Sequence, residues 1–158
     1  MNRREWKLAG WVAFLVYLIA LVYFLLFAEM FGRTHTEIDK TYRYNLVLFK
    51  EIWRFWHYRE QLGFTAVLLN LAGNIVGLMP FGFFLPFLAI RTRSCYTVTC
   101  LTFLFSLVIE TTQLIYKVGS FDVDDLLLNT IGGILGYLLF WMAQYVRKWS
   151  GKGMPIEK

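Results

Sequence analysis

The hydrophobic residues of this chain are gathered into four long stretches that shorter polar segments separate. The stretches cover residues 8–28, 64–90, 94–116 and 125–146. A helix needs about 20 residues to cross a hydrocarbon core, so each stretch is long enough for one crossing. None of them shows the alternation of apolar and polar positions that a membrane β-barrel requires. The pattern therefore predicts four transmembrane helices.

The composition agrees with a membrane protein. Hydrophobic residues make up 58% of the 158 residues and charged residues only 17%, whereas about a quarter of the residues of a soluble domain are charged. In water such a chain would expose large apolar patches however it folded. We predict an all-α polytopic membrane protein, with one four-helix domain over residues 1–158 and a basic tail over residues 147–158.

The basic residues predict the orientation of the helices in the bilayer. Nine of the 16 Lys and Arg residues precede the first stretch, separate the second from the third, or follow the fourth: Arg3, Arg4, Lys7, Arg91, Arg93, Arg147, Lys148, Lys152 and Lys158. Such segments favour the cytoplasmic side, so both termini are expected there. The other seven lie in the predicted outer segments beside most of the acidic residues, and six of them are in the long first loop, where charge affects topology less. The net charge of +5 then reflects sidedness, and no nucleic-acid partner is expected.

The segment between the first two helices is rich in aromatic residues and is expected on the outer side. Residues 42–58 read YRYNLVLFKEIWRFWHY, with cations between the rings. Such a segment can lie among the lipid headgroups, or it can be a loop packed on the helix ends. The sequence leaves both interpretations open. His57 in this segment is expected to be an exposed interfacial residue.

Two further features concern helix continuity and metal chemistry. Pro80 and Pro86 interrupt the second stretch, and we expect a kinked crossing in preference to a re-entrant break.

Cys95 and Cys100 are five positions apart and do not share a helix face. No metal site, disulfide or cofactor is predicted.

Polar residues inside the predicted helices are the candidates for chemistry. They form three pairs at one depth near the outer side, namely Asn70 with Asn74, Glu110 with Gln113, and Asp125 with Asn129. The members of each pair are three or four positions apart and lie on one helix face. One outward-facing pocket can collect them, with Glu110 and Asp125 as candidate catalytic carboxylates and Asn70, Asn74, Gln113, Asp122 and Asn129 as candidate ligand-binding residues.

Structural roles compete with this interpretation. Asp122 or Asp124 can cap the fourth helix, and an acidic residue at a helix start is ordinary stabilisation. The amide side chains can simply join helices. For Glu110 a functional role is favoured over a structural one, because carboxylates within membranes are rare and usually functional. Two GxxxG spacings, Gly73 with Gly77 and Gly132 with Gly136, predict close approach of helix backbones.

Four runs of this sequence together resemble the VanZ-like family. They are NLAGNIVGLMPFGFFLP from Asn70, ETTQ from Glu110, DVDDLLLNTIGG from Asp122, and RYNLVLF from Arg43. Leu48 stands where the family pattern has proline, and residues 117–120 lack the arginine often found before the Asp cluster. The resemblance covers about residues 10–145. It implies a small bacterial multi-pass membrane protein, of a family whose named members raise resistance to the glycopeptide teicoplanin.

Three classes of function follow, in order of preference. The first is a resistance or cell-envelope protein that binds a lipid-linked precursor or a lipoglycopeptide in the outward-facing pocket. The second is a membrane-embedded enzyme that acts on a lipid-linked phosphate or sugar with paired carboxylates. The third is a small transporter subunit. Membrane lipids are expected partners in each case, and the sequence leaves oligomerisation open.

Overall fold

The computed structural model describes residues 3–31 and 42–149. In chain order its elements are α1 (Arg3–Phe31), β1 (Tyr44–Asn45), α2 (Lys50–His57), α3 (Arg59–Leu62), α4 (Phe64–Leu88), α5 (Cys95–Tyr116), β2 (Phe121–Asp122) and α6 (Val123–Trp149). Helices α1, α4, α5 and α6 are each long and apolar enough to cross a membrane. The predicted all-α four-helix architecture is confirmed.

The helix boundaries differ slightly from the hydrophobic stretches. Helix α4 ends at Leu88, because Ala89 is extended and a 3-10 turn follows at Ile90–Thr92. Helix α6 begins at Val123, before the predicted start at residue 125. The hydrophobic pattern begins later than the helix because the first turn contains the polar residues Asp124 and Asp125.

Helix α4 is continuous through both of its prolines. Proline removes one backbone donor, but the helix keeps its other hydrogen bonds and can remain a single crossing. The structure therefore agrees with one crossing and contains no re-entrant break in this segment. Pro86 is buried among its neighbours, and the helix ends soon after it.

Glycines allow α4 and α6 to pack with their backbones in contact. A Cβ atom added to Gly132 or Gly136 would overlap the carbonyl oxygen of Ile75 or Met79 in α4. Gly82 of α4 likewise faces the backbone of Gly133. The predicted close approach is thus confirmed for the second GxxxG pair.

The first GxxxG pair does not have the predicted role. An added Cβ at Gly73 would meet no atom within 4 Å, and one at Gly77 would meet only the Leu21 side chain, at 3.5 Å. The prediction of a backbone contact there is wrong. Helix α1 packs on this part of α4 through side chains instead, in a cluster of Phe14, Leu21, Leu78 and Phe81.

A short parallel strand pair joins the segment after α1 to the turn between α5 and α6. Tyr44 pairs with Phe121, and Asn45 pairs with Asp122. We call the end of the bundle that carries this pair the strand end. Within the predicted interfacial segment, residues 50–57 form the helix α2, which contains no buried residue. This segment therefore includes a surface helix, and its contact with lipid remains a prediction.

Candidate functional site

A stripe of buried polar side chains runs along α5. Ser106, Glu110 and Gln113 are one helical turn apart in succession and share a face. All three are buried, and only 3% of Glu110 is exposed. Glu110 therefore faces protein and not lipid, as a polar group that stays within a membrane bundle must.

Asn129 of α6 joins this stripe. Its Nδ2 donates a hydrogen bond of 2.8 Å to the Oγ of Ser106. Since α5 runs towards the strand end and α6 runs away from it, Glu110 and Asp125 each lie one turn nearer that end than this bond. The facing helices therefore carry the two carboxyl groups at one level.

Asp125 also connects α6 to α4. The Nδ2 of Asn74 donates a hydrogen bond of 2.5 Å to the Oδ1 of Asp125. Asn70 lies one turn from Asn74, but its side chain is exposed. The structure thus brings Asn74, Asp125 and Asn129 to the contact surfaces of the helices, and it leaves Asn70 on the outside of α4.

Gln113 is directed to a different helix. Its Nε2 donates a hydrogen bond of 2.8 Å to the backbone carbonyl of Leu25 in α1. The side chain also packs closely against Gly119 in the turn before β2, where an added Cβ would meet it at 3.1 Å. Gln113 shares the stripe of Glu110 in sequence, yet it bridges α5 to α1 and not to α6.

Two buried side-chain oxygen atoms have no hydrogen-bond donor among the described residues. They are Oε1 of Gln113 and Oδ1 of Asn129. The amide nitrogens of the same side chains are both engaged, so the oxygens are the free acceptors. A buried acceptor without a partner costs about 1–3 kcal/mol. Each oxygen is therefore a place where a donor group would be stabilised.

Asp122 has the structural role that the sequence offered as an alternative. Its Oδ1 accepts the backbone N–H of Asp124 at 2.8 Å, which caps the first turn of α6. The same oxygen accepts Nδ2 of Asn45 at 3.1 Å. Its backbone N–H donates to Oε2 of Glu110 at 2.9 Å. Asp122 thus anchors Glu110 through its backbone, while its side chain holds the helix start.

The pKa of the Asp122 carboxyl is raised, chiefly because burial penalises its charged form. The hydrogen bonds from Asp124 and Asn45 lower this pKa, and the nearby carboxylates of Asp124 and Glu51 raise it again. Burial and like charge outweigh the hydrogen bonds.

Asp124 caps a different helix from the one that contains it. Its carboxylate accepts the backbone N–H groups of Phe49, Glu51 and Ile52, the last two at 2.8 and 3.2 Å. These N–H groups belong to the start of α2, where a helix has no internal acceptors. Of the two residues that the sequence offered as caps of α6, Asp122 has that role, and Asp124 instead caps α2.

Sequence reasoning missed Ser106 and Asn45 as members of this network. Ser106 lies one turn before Glu110 on the same face of α5, a spacing that the sequence does display. Asn45 is close to Asp122 only because β1 pairs with β2. Its side chain also forms a local turn, in which Oδ1 accepts the N–H of Val47 at 3.1 Å. That turn has no signature that points to Asp122.

Two apolar grooves lie on the outside of the bundle. One, of about 300 Å³, is lined mainly by α4 residues such as Met79 and Phe83. The other, of about 290 Å³, is lined mainly by α5 residues such as Cys100 and Phe103. Neither groove includes a predicted site residue, so the shared polar pocket stays a prediction.

The chemistry available at the buried network is hydrogen-bond acceptance. The carboxyl groups of Glu110 and Asp125 accept hydrogen bonds, each of the three amide nitrogens donates one hydrogen bond, and the buried atoms without a partner are the acceptor oxygens of Gln113 and Asn129. Among residues 3–31 and 42–149, no group of three or more His, Cys, Asp or Glu side chains is placed to hold a metal ion. The network is suited to a group that donates hydrogen bonds.

Comparison with known proteins places most of the chain in one family. A model of the VanZ/LLP1 family matches residues 14–144. The matched range includes every residue of the polar network described above. No curated protein and no solved structure matches the chain.

Proposed function

Because this chain belongs to the VanZ/LLP1 family, we propose that it binds the polar headgroup of a lipid-linked cell-envelope ligand and thereby lowers susceptibility to teicoplanin-type glycopeptides. The ligand would be a lipid-linked wall precursor or a lipoglycopeptide. The proposed location is the bacterial plasma membrane, with the strand end outside and both termini in the cytoplasm. The binding residues would be those at the helix contacts, led by Glu110.

The observation that carries this proposal is the free Oδ1 of Asn129. This residue is 1% exposed, and its oxygen has no donor among the described residues. It sits beside Ser106, one turn from the level of Glu110. Within a membrane bundle an unsatisfied acceptor is costly, so a ligand donor that reaches this oxygen would bind favourably.

The two unpartnered buried oxygens, Oε1 of Gln113 and Oδ1 of Asn129, indicate which part of a ligand would enter. Sugar hydroxyls and ammonium groups donate hydrogen bonds, and they complement the oxygens of Glu110, Asp125 and Asn129. A phosphate group offers chiefly acceptors, which do not complement these oxygens. The proposed ligand therefore presents a sugar or an amine to the site, while any phosphate stays nearer the membrane surface.

A change of Glu110 to Gln tests the proposal. Glu110→Gln keeps the shape and one acceptor oxygen for the Asp122 N–H, so folded protein should persist in the membrane. Ligand binding should weaken about tenfold or more, because a hydrogen bond to a charged group contributes about 1.5–3 kcal/mol. The teicoplanin concentration that stops growth of a susceptible bacterial host would be compared for wild type, Glu110→Gln and an empty vector.

The matched control is Glu60→Gln, which removes the same charge from an exposed position in α3. Its resistance should equal that of wild type at equal membrane abundance, measured by immunoblot. If wild type does not raise resistance, the glycopeptide role is wrong. If Glu110→Gln retains full resistance per molecule, Glu110 is structural and the binding site is wrong.

The two carboxyl groups at one level favour a membrane-embedded enzyme as the second candidate function. Glu110 would act as an acid and Asp125 as a base on a lipid-linked substrate. Incubation of purified protein with a polyprenyl-diphosphate-linked disaccharide distinguishes the two functions. Saturable binding with unchanged probe supports the binding protein, whereas turnover that Glu110→Gln abolishes supports the enzyme.

A further inference from the structure

Helix α2 presents three different faces. Ile52 and Phe55 are half-buried against the bundle, and α2 contacts α4 and α6. A second face carries exposed rings one turn apart, at Phe49, Trp53 and Trp56; we call it the aromatic stripe. A third face carries the exposed side chains Lys50, Arg54 and His57; we call it the basic stripe.

The aromatic stripe is largely exposed in the single chain, although His57 stacks on the Trp53 ring and Arg59 lies over the Trp56 ring. Trp53 is 65% exposed and Trp56 is 59% exposed. The stripe continues into the preceding segment, where Leu46 and Val47 are also exposed. An apolar surface of this kind on one side of a short helix requires a nonaqueous cover.

Asp124 attaches the start of α2 to the start of α6. Its carboxylate is 1% exposed and accepts three backbone N–H groups from the start of α2. Asp124 itself lies in the first turn of α6, which is one of the membrane-crossing helices. The start of α2 is therefore held beside the first turn of α6, a helix long and apolar enough to cross a membrane.

The backbone conformation of Phe49 is part of the attachment of α2 to Asp124. Phe49 has a left-handed conformation with φ of 65°, which is unusual for a bulky residue. This conformation turns the chain into α2, and the N–H of Phe49 bonds to Asp124. The geometry of the start of α2 is thus determined by a contact with a transmembrane helix.

From these observations we propose that α2 is an interfacial helix, whose aromatic stripe lies at the boundary between lipid headgroups and acyl chains. The occupant of this surface is the membrane that the four adjacent helices already cross. Trp side chains prefer this level, since the ring is apolar and its N–H can remain hydrated. The basic stripe lies beside the aromatic stripe, where Lys50 can reach lipid phosphates.

Spin labels on α2 test the proposal in the full chain. Cys95 and Cys100 are first replaced by Ser, and a single cysteine then replaces Trp53, Trp56 or Lys50. The protein is reconstituted in vesicles of phosphatidylcholine and phosphatidylglycerol. Electron paramagnetic resonance measures how readily each label meets oxygen, which concentrates in lipid, and a nickel chelate, which stays in water.

Labels at Trp53→Cys and Trp56→Cys should meet oxygen more readily than the chelate, and the label at Lys50→Cys should meet the chelate more readily. This contrast along one helix would support the interfacial position. Equal access of the chelate to all three labels would show a helix in water and overturn the proposal. Labels at Trp53 and Trp56 that are shielded from both reagents would show a protein cover and overturn it as well.

The attachment by Asp124 is tested with the same labels. Asp124→Ala removes both acceptor oxygens, so the label at Trp53→Cys should become more mobile and its depth less uniform. Asp124→Asn keeps one acceptor oxygen, so it should change the label in the same direction but less. This variant provides the test if Asp124→Ala does not fold. An unchanged spectrum in the folded Asp124→Asn and Asp124→Ala proteins would show that Asp124 does not set the position of α2.

Discussion

Asp122 and Asp124 lie two positions apart, yet their carboxylates stabilise different elements. Asp122 accepts the N–H of Asp124 and caps α6. Asp124 accepts N–H groups of α2, including that of Glu51, which is 73 positions away in the chain. Both residues precede or begin the same helix, so their sequence positions suggest one role. The tertiary structure separates the two roles because α2 folds back over the start of α6.

The raised pKa of Asp122 makes one change at this residue informative. Asp122→Asn retains an oxygen that can accept the N–H of Asp124 and removes the buried charge. In the wild type, the folded state holds a proton on Asp122 more tightly than the unfolded chain does. The stability of the wild-type protein therefore falls as the pH rises from the ordinary pKa of 3.8 through the raised pKa of Asp122.

We expect Asp122→Asn to unfold a few degrees higher than wild type at neutral pH. The difference should shrink as the pH falls towards 3.8, because wild-type Asp122 is then protonated in the folded protein. Thermal unfolding of both proteins in detergent across this range provides the measurement. A lower unfolding temperature for Asp122→Asn at every pH would contradict the expectation and show that the carboxylate hydrogen bonds dominate.

At the scale of elements, the packing of α4 on α6 depends on glycine positions that only partly follow the GxxxG pattern. Gly132 and Gly136 face backbone atoms of α4, as predicted, whereas Gly73 faces open space. Gly82 makes the contact on the α4 side. Spacing identifies glycines on one face of a helix, but the crossing of two helices decides which face meets the partner.

The change Gly136→Ala tests this contact, with Gly73→Ala as its control. The new Cβ at position 136 would overlap the backbone of Met79, so the helices must separate. We expect a loss of about 1–3 kcal/mol, as for other overpacked cores. Gly73→Ala should be neutral or stabilising by about 1 kcal/mol, because alanine favours a helix more than glycine does.

Unfolding temperature and yield in detergent would be compared for the two variants. Both variants add the same methyl group to α4 or α6, so a difference between them reports the contact and not helix propensity. Equal stability of Gly136→Ala and wild type would refute the backbone contact between these helices.

At the scale of the whole molecule, the orientation in the membrane remains a prediction from charge. Single cysteines at Ser120 and Ser150, in a chain with Cys95 and Cys100 replaced by Ser, provide the test. Ser120 lies at the strand end next to β2, and Ser150 lies outside the described residues. An impermeant thiol reagent added to intact cells should label position 120 and leave position 150 unlabelled.

Position 150 should become labelled when the cells are opened, which controls for a thiol that is simply unreactive. Labelling of position 150 from outside intact cells would show that the orientation is the opposite of the predicted one. The proposed outward-facing site would then face the cytoplasm and could not meet a glycopeptide at the cell surface.

The sequence by itself determined the class of the fold and the extent of its helices. A hydrocarbon environment leaves few ways to satisfy the backbone, so long apolar stretches specify helices almost without reference to one another. The helical spacing of Glu110 and Gln113 likewise identified one face of α5 in advance. Local periodicity suffices for these features because neighbouring residues alone decide them.

The tertiary structure decided which polar groups meet. Gln113 bonds α1 while Asn129 bonds Ser106, although depth and spacing had assigned both to one pocket. Asn70 is exposed although Asn74 bonds Asp125. Each outcome depends on the rotation and crossing of whole helices, and for α4 and α6 the close packing at Gly82, Gly132 and Gly136 contributes to that crossing. These packing energies arise between residues that are distant in the sequence, so the pattern within a single helix does not predict them.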